Sequence, residues 1–112
     1  MDITPQNQKE HYGFFGKFIT KPGKGAELSA ILMKAATAMK NVKGCRLYTV
    51  SYDPFDADAI YVFEAWDSKE DHDNALKVEN VRELIAKAMP LIEGKSDGKN
   101  LQVLGGHGLE DI

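Results

Sequence analysis

YVFEAWDSKEDHDNAL, residues 61–76, holds the only tryptophan of the chain and one of its three histidines. Tyr61 to Trp66 is rich in aromatic and β-branched side chains and reads as a strand. Ser68-Lys69-Glu70-Asp71 then has the form of a helix-capping box, with Asp in place of the usual Glu. A helix is therefore expected over about 69–78, with His72 in its first turn. The corner sets an indole and an imidazole close together, where a strand passes into a helix.

Working outward, CRLYTVSY (45–52) is a second strand, and DPFDAD separates it from AIYVFEAW (59–66). The two predict an antiparallel hairpin with a longish loop. Before them, Leu28, Ile31, Leu32, Ala35, Ala36 and Met39 keep the spacing of an amphipathic helix, and Gly44 is a natural stop after it. HYGFFGKFIT (11–20) is a strand in which Gly13 and Gly16 mark a bulge or close packing. Downstream, Asn80 to Glu83 repeats the capping pattern and predicts a second helix from about 81. Its apolar stripe is Val81, Leu84, Ile85, Ala88, Met89 and Ile92, and Pro90 should kink or end it. EGKSDGKN is expected as loop, LQVLGG as a last strand and HGLEDI as a tail. The order β-α-β-β-α-β predicts an α+β fold of the ferredoxin-like type, with helices on one face of a four-stranded antiparallel sheet. Residues 1–10 are expected to be a loose leader and 11–109 a single domain.

Composition narrows the function classes. The chain has 112 residues and a net charge of −3, and no window clusters Lys and Arg as nucleic-acid binding requires. A single cysteine, Cys45, precludes an internal disulfide framework. The polar N-terminus lacks the layout of a signal peptide, and no apolar run reaches the ~20 residues that span a bilayer. A cytoplasmic protein that binds neither nucleic acid nor membrane is expected. His11, His72 and His107 are far apart and no metal-ligand spacing occurs, so no metal site is expected.

The strands carry a further message. A sheet covered by helices on one side only should alternate apolar and polar residues. Here Ile60, Val62, Glu64 and Trp66 share one parity, while Tyr61, Phe63 and Ala65 share the other. Tyr12, Phe14 and Phe18 are likewise backed by Phe15 and Ile19. Both faces want burial, and a second copy of the chain packed on the open face satisfies this, giving a homodimer. A monomer with an aromatic-rich sheet surface is the alternative.

The element order, the FEAWDSKEDHDNAL corner, the PLI helix end and the closing LGGHGL resemble the antibiotic biosynthesis monooxygenase family over about residues 11–109. The likeness is greatest to its small quinol-monooxygenase-like members. The resemblance implies a dimeric α+β barrel with two sheets face to face, and a pocket between sheet and helices in each subunit. It also implies oxygenation of a quinol or aromatic polyketide by O2 with no metal, flavin or other cofactor. Trp66 matches the tryptophan that lines the pocket in family members. Haem-degrading relatives use a first-strand asparagine, which HYGFFGKFI lacks, so haem ligation is not expected.

Ground-state oxygen is a triplet and reacts slowly with closed-shell molecules. An enzyme without a cofactor must deprotonate an electron-rich phenol or quinol, so that the anion can pass an electron to O2. That chemistry needs a base near neutral pH, oxyanion donors and a dry aromatic pocket. Trp66 could offer its indole N–H and its ring to a substrate, or be a core residue whose N–H meets a backbone carbonyl. His72 shares a helix face with Ala75 and Leu76 and could be the base, or a half-exposed ring packed on Leu76. Asp71 and Asp73 flank it, but neighbours one apart on a helix do not face each other, so no dyad is expected. Glu64 could be a second base or the partner of a buried Arg46. Arg46, Tyr48 and Tyr61 are candidate substrate contacts or structural residues, and His107 in GGHGL is a further one. Three readings remain open: a cofactor-free monooxygenase, a non-catalytic barrel binding a small apolar ligand, and an isomerase using the same pocket without oxygen.

Overall fold

The fold is built around the strand that ends at Trp66. In the computed structural model, which describes residues 11–94 and 96–109, this strand, β3 (Asp56–Trp66), lies between β2 (Cys45–Asp53) and β1 (His11–Ile19). β4 (Asp97–Val103) pairs with the far side of β1, giving a four-stranded sheet in the order β2-β3-β1-β4 with every pair antiparallel. The helices α1 (Gly25–Ala38), α2 (Lys69–Ala75) and α3 (Glu79–Ala88) complete the β-α-β-β-α(α)-β series. This is the expected ferredoxin-like α+β arrangement. The leader at 1–10 and the last three residues of the expected tail lie outside the described residues.

The register explains which side chains meet the helices. Glu64 pairs with Phe14 on one side and Tyr48 on the other, and Trp66 pairs with Tyr12 and Cys45. Side chains alternate between faces, so Ile60, Val62, Glu64 and Trp66 all point to the helices and are buried. Gly16 faces Gly98 across the β1–β4 pair, and a Cβ at either position would collide with the Phe14 ring, which lies over both. Gly16 thus marks close packing, with the β1 register unbroken. The opposite face leaves Phe15 45%, Ile19 40% and Leu101 37% exposed, and Phe15 packs its ring against Tyr61 and Phe63.

The hairpin, the starts of α3 and β4, and the end of α2, which comes at Ala75, differ from expectation. The β2–β3 hairpin turns at residues 54 and 55 alone, because Asp53 accepts the Phe55 N–H (2.8 Å) and the following aspartates join the strand. Asp58 then accepts backbone N–H groups of Gly23 and Gly25, tying the start of α1 to β3. α3 starts at Glu79 after Val78, which is extended and lends no side-chain cap, so Asn80 is inside the helix and caps nothing. β4 starts at Asp97, since the β1 edge from Phe14 to Lys17 takes its partners from the polar residues 97–100. Two other expectations hold. Ser68 caps α2 by accepting the Asp71 N–H (3.1 Å), and Pro90 ends α3 in a single 3₁₀ turn, Met89–Leu91.

The buried core divides into two clusters. One gathers Tyr12, Met39, Trp66, Ala75 and Val81, and the other Leu28, Ile60 and Ala88. Both contribute to the wall of the same hollow. No helix among the described residues is long and apolar enough to cross a membrane.

Candidate functional site

The hollow between sheet and helices has a volume of about 220 Å³. Phe14 and Phe18 of β1 form its floor with Tyr48, Glu64 and Trp66; Leu28, Ile31, Leu32 and Ala35 of α1 and Val81, Leu84 and Ala88 of α3 enclose it. Leu76, Ile85 and Met89 line it while remaining partly exposed, so the opening is apolar. The ionisable side chains in the lining are Tyr48, Glu64 and His72.

The sharp corner at residues 66–72 is what brings them together. The Asp67 N–H donates to the Gly44 carbonyl (2.8 Å), which docks the end of β3 on the turn before β2. Gly44 has a φ of +85°, and a side chain there would run into Asp71 of α2. Only glycine lets the turn and the helix approach so closely. With α2 held there, His72 points back over the sheet. Its ring meets the Trp66 ring edge-on at 5.6 Å and 88°, and that of Tyr12 at 4.9 Å.

Glu64 is the junction of the polar end. The Trp66 Nε1–H donates to Glu64 Oε1 (3.0 Å), and His72 Nε2 lies 3.9 Å from the same oxygen. Burial pushes the Glu64 carboxyl above its ordinary pKa, against the opposing pull of the Trp66 hydrogen bond and the His72 charge. Glu64 and His72 thus face each other at the edge of an apolar chamber. Burial also pushes the Tyr48 hydroxyl well up, with Glu64 adding to it, so Tyr48 is a neutral donor. The neighbouring Cys45 thiol is pushed up to about 11 by burial and is no thiolate nucleophile.

The structure thus gathers Trp66, His72, Glu64 and Tyr48 on one cavity and leaves the other candidates outside it. The Trp66 N–H is satisfied by a carboxylate, and neither a backbone carbonyl nor open space receives it. Arg46 is not the partner of Glu64. A β-bulge between Cys45 and Leu47 leaves it outside the ladder, and it reaches Asp67 at the surface (Nε to Oδ1, 2.8 Å). Tyr61 lies on the sheet face away from the helices, with Lys17 over its ring at 5.7 Å. His107 sits exposed in a turn after β4, away from the cavity wall.

Two residues were missed by sequence reasoning. Asp73 does meet His72, with Oδ1 3.0 Å from Nδ1, contrary to the expectation for adjacent helical residues. Nδ1 is the ring nitrogen nearer the backbone, and Lys69 draws the other Asp73 oxygen along the helix (2.9 Å). The i, i+4 spacing of Lys69 and Asp73 was the available signal. Strand parity places Tyr12 only on one face of β1, yet its ring lies over His72 and its hydroxyl donates to Asn100 Oδ1 (2.6 Å). Its register opposite Trp66 is visible only once strands are paired.

The family model for antibiotic biosynthesis monooxygenase matches residues 14–87. A crystal structure from Chloroflexus aurantiacus J-10-fl, named for the same family, is 38% identical, with a TM-score of 0.81 over 88% of this chain and 98% of that one. A Caulobacter crescentus CB15 structure, again named for the family, has 19% identity and a TM-score of 0.77, covering 85% of this chain and 91% of its own. A Mycobacterium tuberculosis structure shares the fold at 18% identity and a TM-score of 0.76, covering 87% and 98%. No curated protein matches the chain at a significant level. With the family model spanning most of its length, the chain belongs to the antibiotic biosynthesis monooxygenase family.

Proposed function

We propose that the protein is a cofactor-independent monooxygenase that oxidises a small quinol or hydroxylated aromatic with O2 in the cavity between sheet and helices. The observation that carries this reading is the pairing of His72 and Glu64 at the end of an otherwise apolar chamber. An apolar cavity of about 150 Å³ takes up benzene. The 220 Å³ available here suits one or two fused rings.

His72 Nε2 takes the proton of a substrate hydroxyl, and Glu64 stabilises the imidazolium that results. The substrate anion passes one electron to O2, and the radical and superoxide combine to form a carbon–oxygen bond. The peroxide then breaks its O–O bond. One oxygen stays on the ring as a carbonyl, and the other leaves as water with the proton held by His72 and the hydrogen of the attacked carbon. The substrate supplies all four electrons, so a quinol and O2 give a hydroxyquinone and water. Trp66 holds Glu64 in place through its N–H and walls the chamber with its ring. Tyr48, the cross-strand partner of Glu64 in the lining, supplies a hydrogen bond to the oxyanion.

We propose also that the open sheet face packs on a second copy, as family members are commonly dimeric; the exposed Phe15, Ile19 and Leu101 support this. The first reading is tested by oxygen uptake with a panel of benzo- and naphthoquinols, using protein free of metal and flavin by absorbance. His72→Ala is expected to lower kcat by about 10²- to 10⁴-fold, the usual contribution of a general base. No rate above spontaneous oxidation for any quinol would sink the enzyme reading and favour a ligand-binding barrel. Conversion under strict anaerobiosis would point to an isomerase.

A further inference from the structure

We propose that Asp73 is the positioning residue of His72: it holds the imidazole as the Nδ1–H tautomer and so presents the bare Nε2 to Glu64 and the cavity. The inference deepens the reading of His72 as the base and rests on it for its catalytic meaning. Its structural content stands on three contacts around one ring.

The first is Asp73 Oδ1 at 3.0 Å from Nδ1. An ionised carboxylate only accepts hydrogen bonds, so the nitrogen facing it carries the proton. Asp73 is ionised at neutral pH, since His72 and Lys69 hold its carboxyl below the usual range. The second contact is Lys69 Nζ on Asp73 Oδ2 at 2.9 Å, which engages the outer oxygen and leaves Oδ1 to face the ring. The third is the aromatic clamp of Tyr12 at 4.9 Å and Trp66 at 5.6 Å, which fixes the ring plane so that Nε2 falls 3.9 Å from Glu64 Oε1. The charged and titratable groups facing His72 are therefore Lys69 and Asp73 from α2, Glu64 from β3 and Tyr12 from β1.

The tautomer matters because a base must have a lone pair where the proton arrives. A histidine side chain in water favours the Nε2–H form. Without Asp73 most His72 rings would aim a hydrogen at the substrate and only a minority would be competent, lowering kcat in proportion. Substrate binding rests on the apolar walls, so KM should change little.

The test is ¹⁵N NMR of histidine-labelled protein without ligand, at a pH where His72 is neutral, with its signals identified by their loss in His72→Gln. Wild type is expected to show a protonated Nδ1 and a bare Nε2. Asp73→Ala should move His72 toward the Nε2–H form and lower quinol kcat about tenfold with KM within about twofold, as the competent fraction falls. Lys69→Met loosens the same helix surface but leaves the acceptor, so it should keep the wild-type tautomer. A proton on Nε2 in wild type, an Asp73→Ala spectrum like wild type, or a Lys69→Met spectrum like Asp73→Ala would each overturn the assignment. Because the spectra need no turnover, their failure is distinct from failure of the monooxygenase reading, which the quinol panel decides alone.

Discussion

The two ends of the cavity share β3 and α3 and do opposite things. At one end Leu28, Ile60 and Ala88 meet with Ile31, Leu32 and Ile92 packed around them, and none of these side chains is polar. At the other, Trp66 and Tyr12 pack as tightly, yet Glu64 and His72 are held among them. Burying apolar surface stabilises a fold, whereas burying a carboxyl costs free energy even when it is hydrogen-bonded. The first end makes the protein stable. At the second, stability is given up to hold a buried carboxyl beside an imidazole, the arrangement on which the proposed function rests.

The comparison breaks most readily at the apolar end. Leu28 is fully buried against Ile60. Leu28→Ala should lower the unfolding free energy by about 2–5 kcal/mol, as core truncations of this size do. Urea denaturation at pH 7 measures it. A loss below about 1 kcal/mol would mean that the neighbouring hollow already leaves this end loosely packed, and the contrast between ends would weaken.

Glu64→Gln should have a smaller effect of the opposite sign. The folded Glu64 carboxyl is raised above its ordinary pKa, chiefly by burial. Below the unfolded-chain value both states are protonated and there is no penalty. As the pH rises from there through the folded value, the unfolded chain ionises first and stability is lost. Glutamine still accepts the Trp66 N–H and never ionises. The variant should therefore match wild type near pH 4, exceed it increasingly above that, and level off once the folded carboxyl has titrated. Denaturation curves from pH 4 to 8 give the difference. A variant less stable than wild type at pH 8 would show that the His72 ion pair outweighs the burial cost.

The contrast was partly legible in the sequence. Parity along AIYVFEAW places Glu64 and Trp66 with Ile60 and Val62, and helix phase puts His72 with Ala75 and Leu76, so these residues could be placed on one hollow without coordinates. Gly44 could be read as a stop because a positive φ there follows a helix. The early start of β4 could not, since its polar residues join the sheet only because the β1 edge needs partners. Nor could the Asp73 contact, which depends on the rotation of the His72 ring and of the Asp73 carboxylate. Pattern fixes which face a side chain takes. It does not fix the last few ångströms.

Arg46 gives the smallest effect and the sharpest control. Helical and strand periodicity alone allow it to reach Glu64, and such a pair would hold the carboxyl down. The bulge at Arg46 sends it instead to Asp67, where both side chains are well exposed. Exposed pairs contribute roughly 0–1 kcal/mol because water and salt screen them. Arg46→Ala should therefore change stability by no more than about 1 kcal/mol. It should leave the fall in stability above pH 4 as steep as in wild type, since that fall belongs to Glu64. A variant in which the slope steepens would place the guanidinium's field inside the cavity. The polar end would then be a three-charge network, and the balance between Glu64 and His72 would be set from the surface.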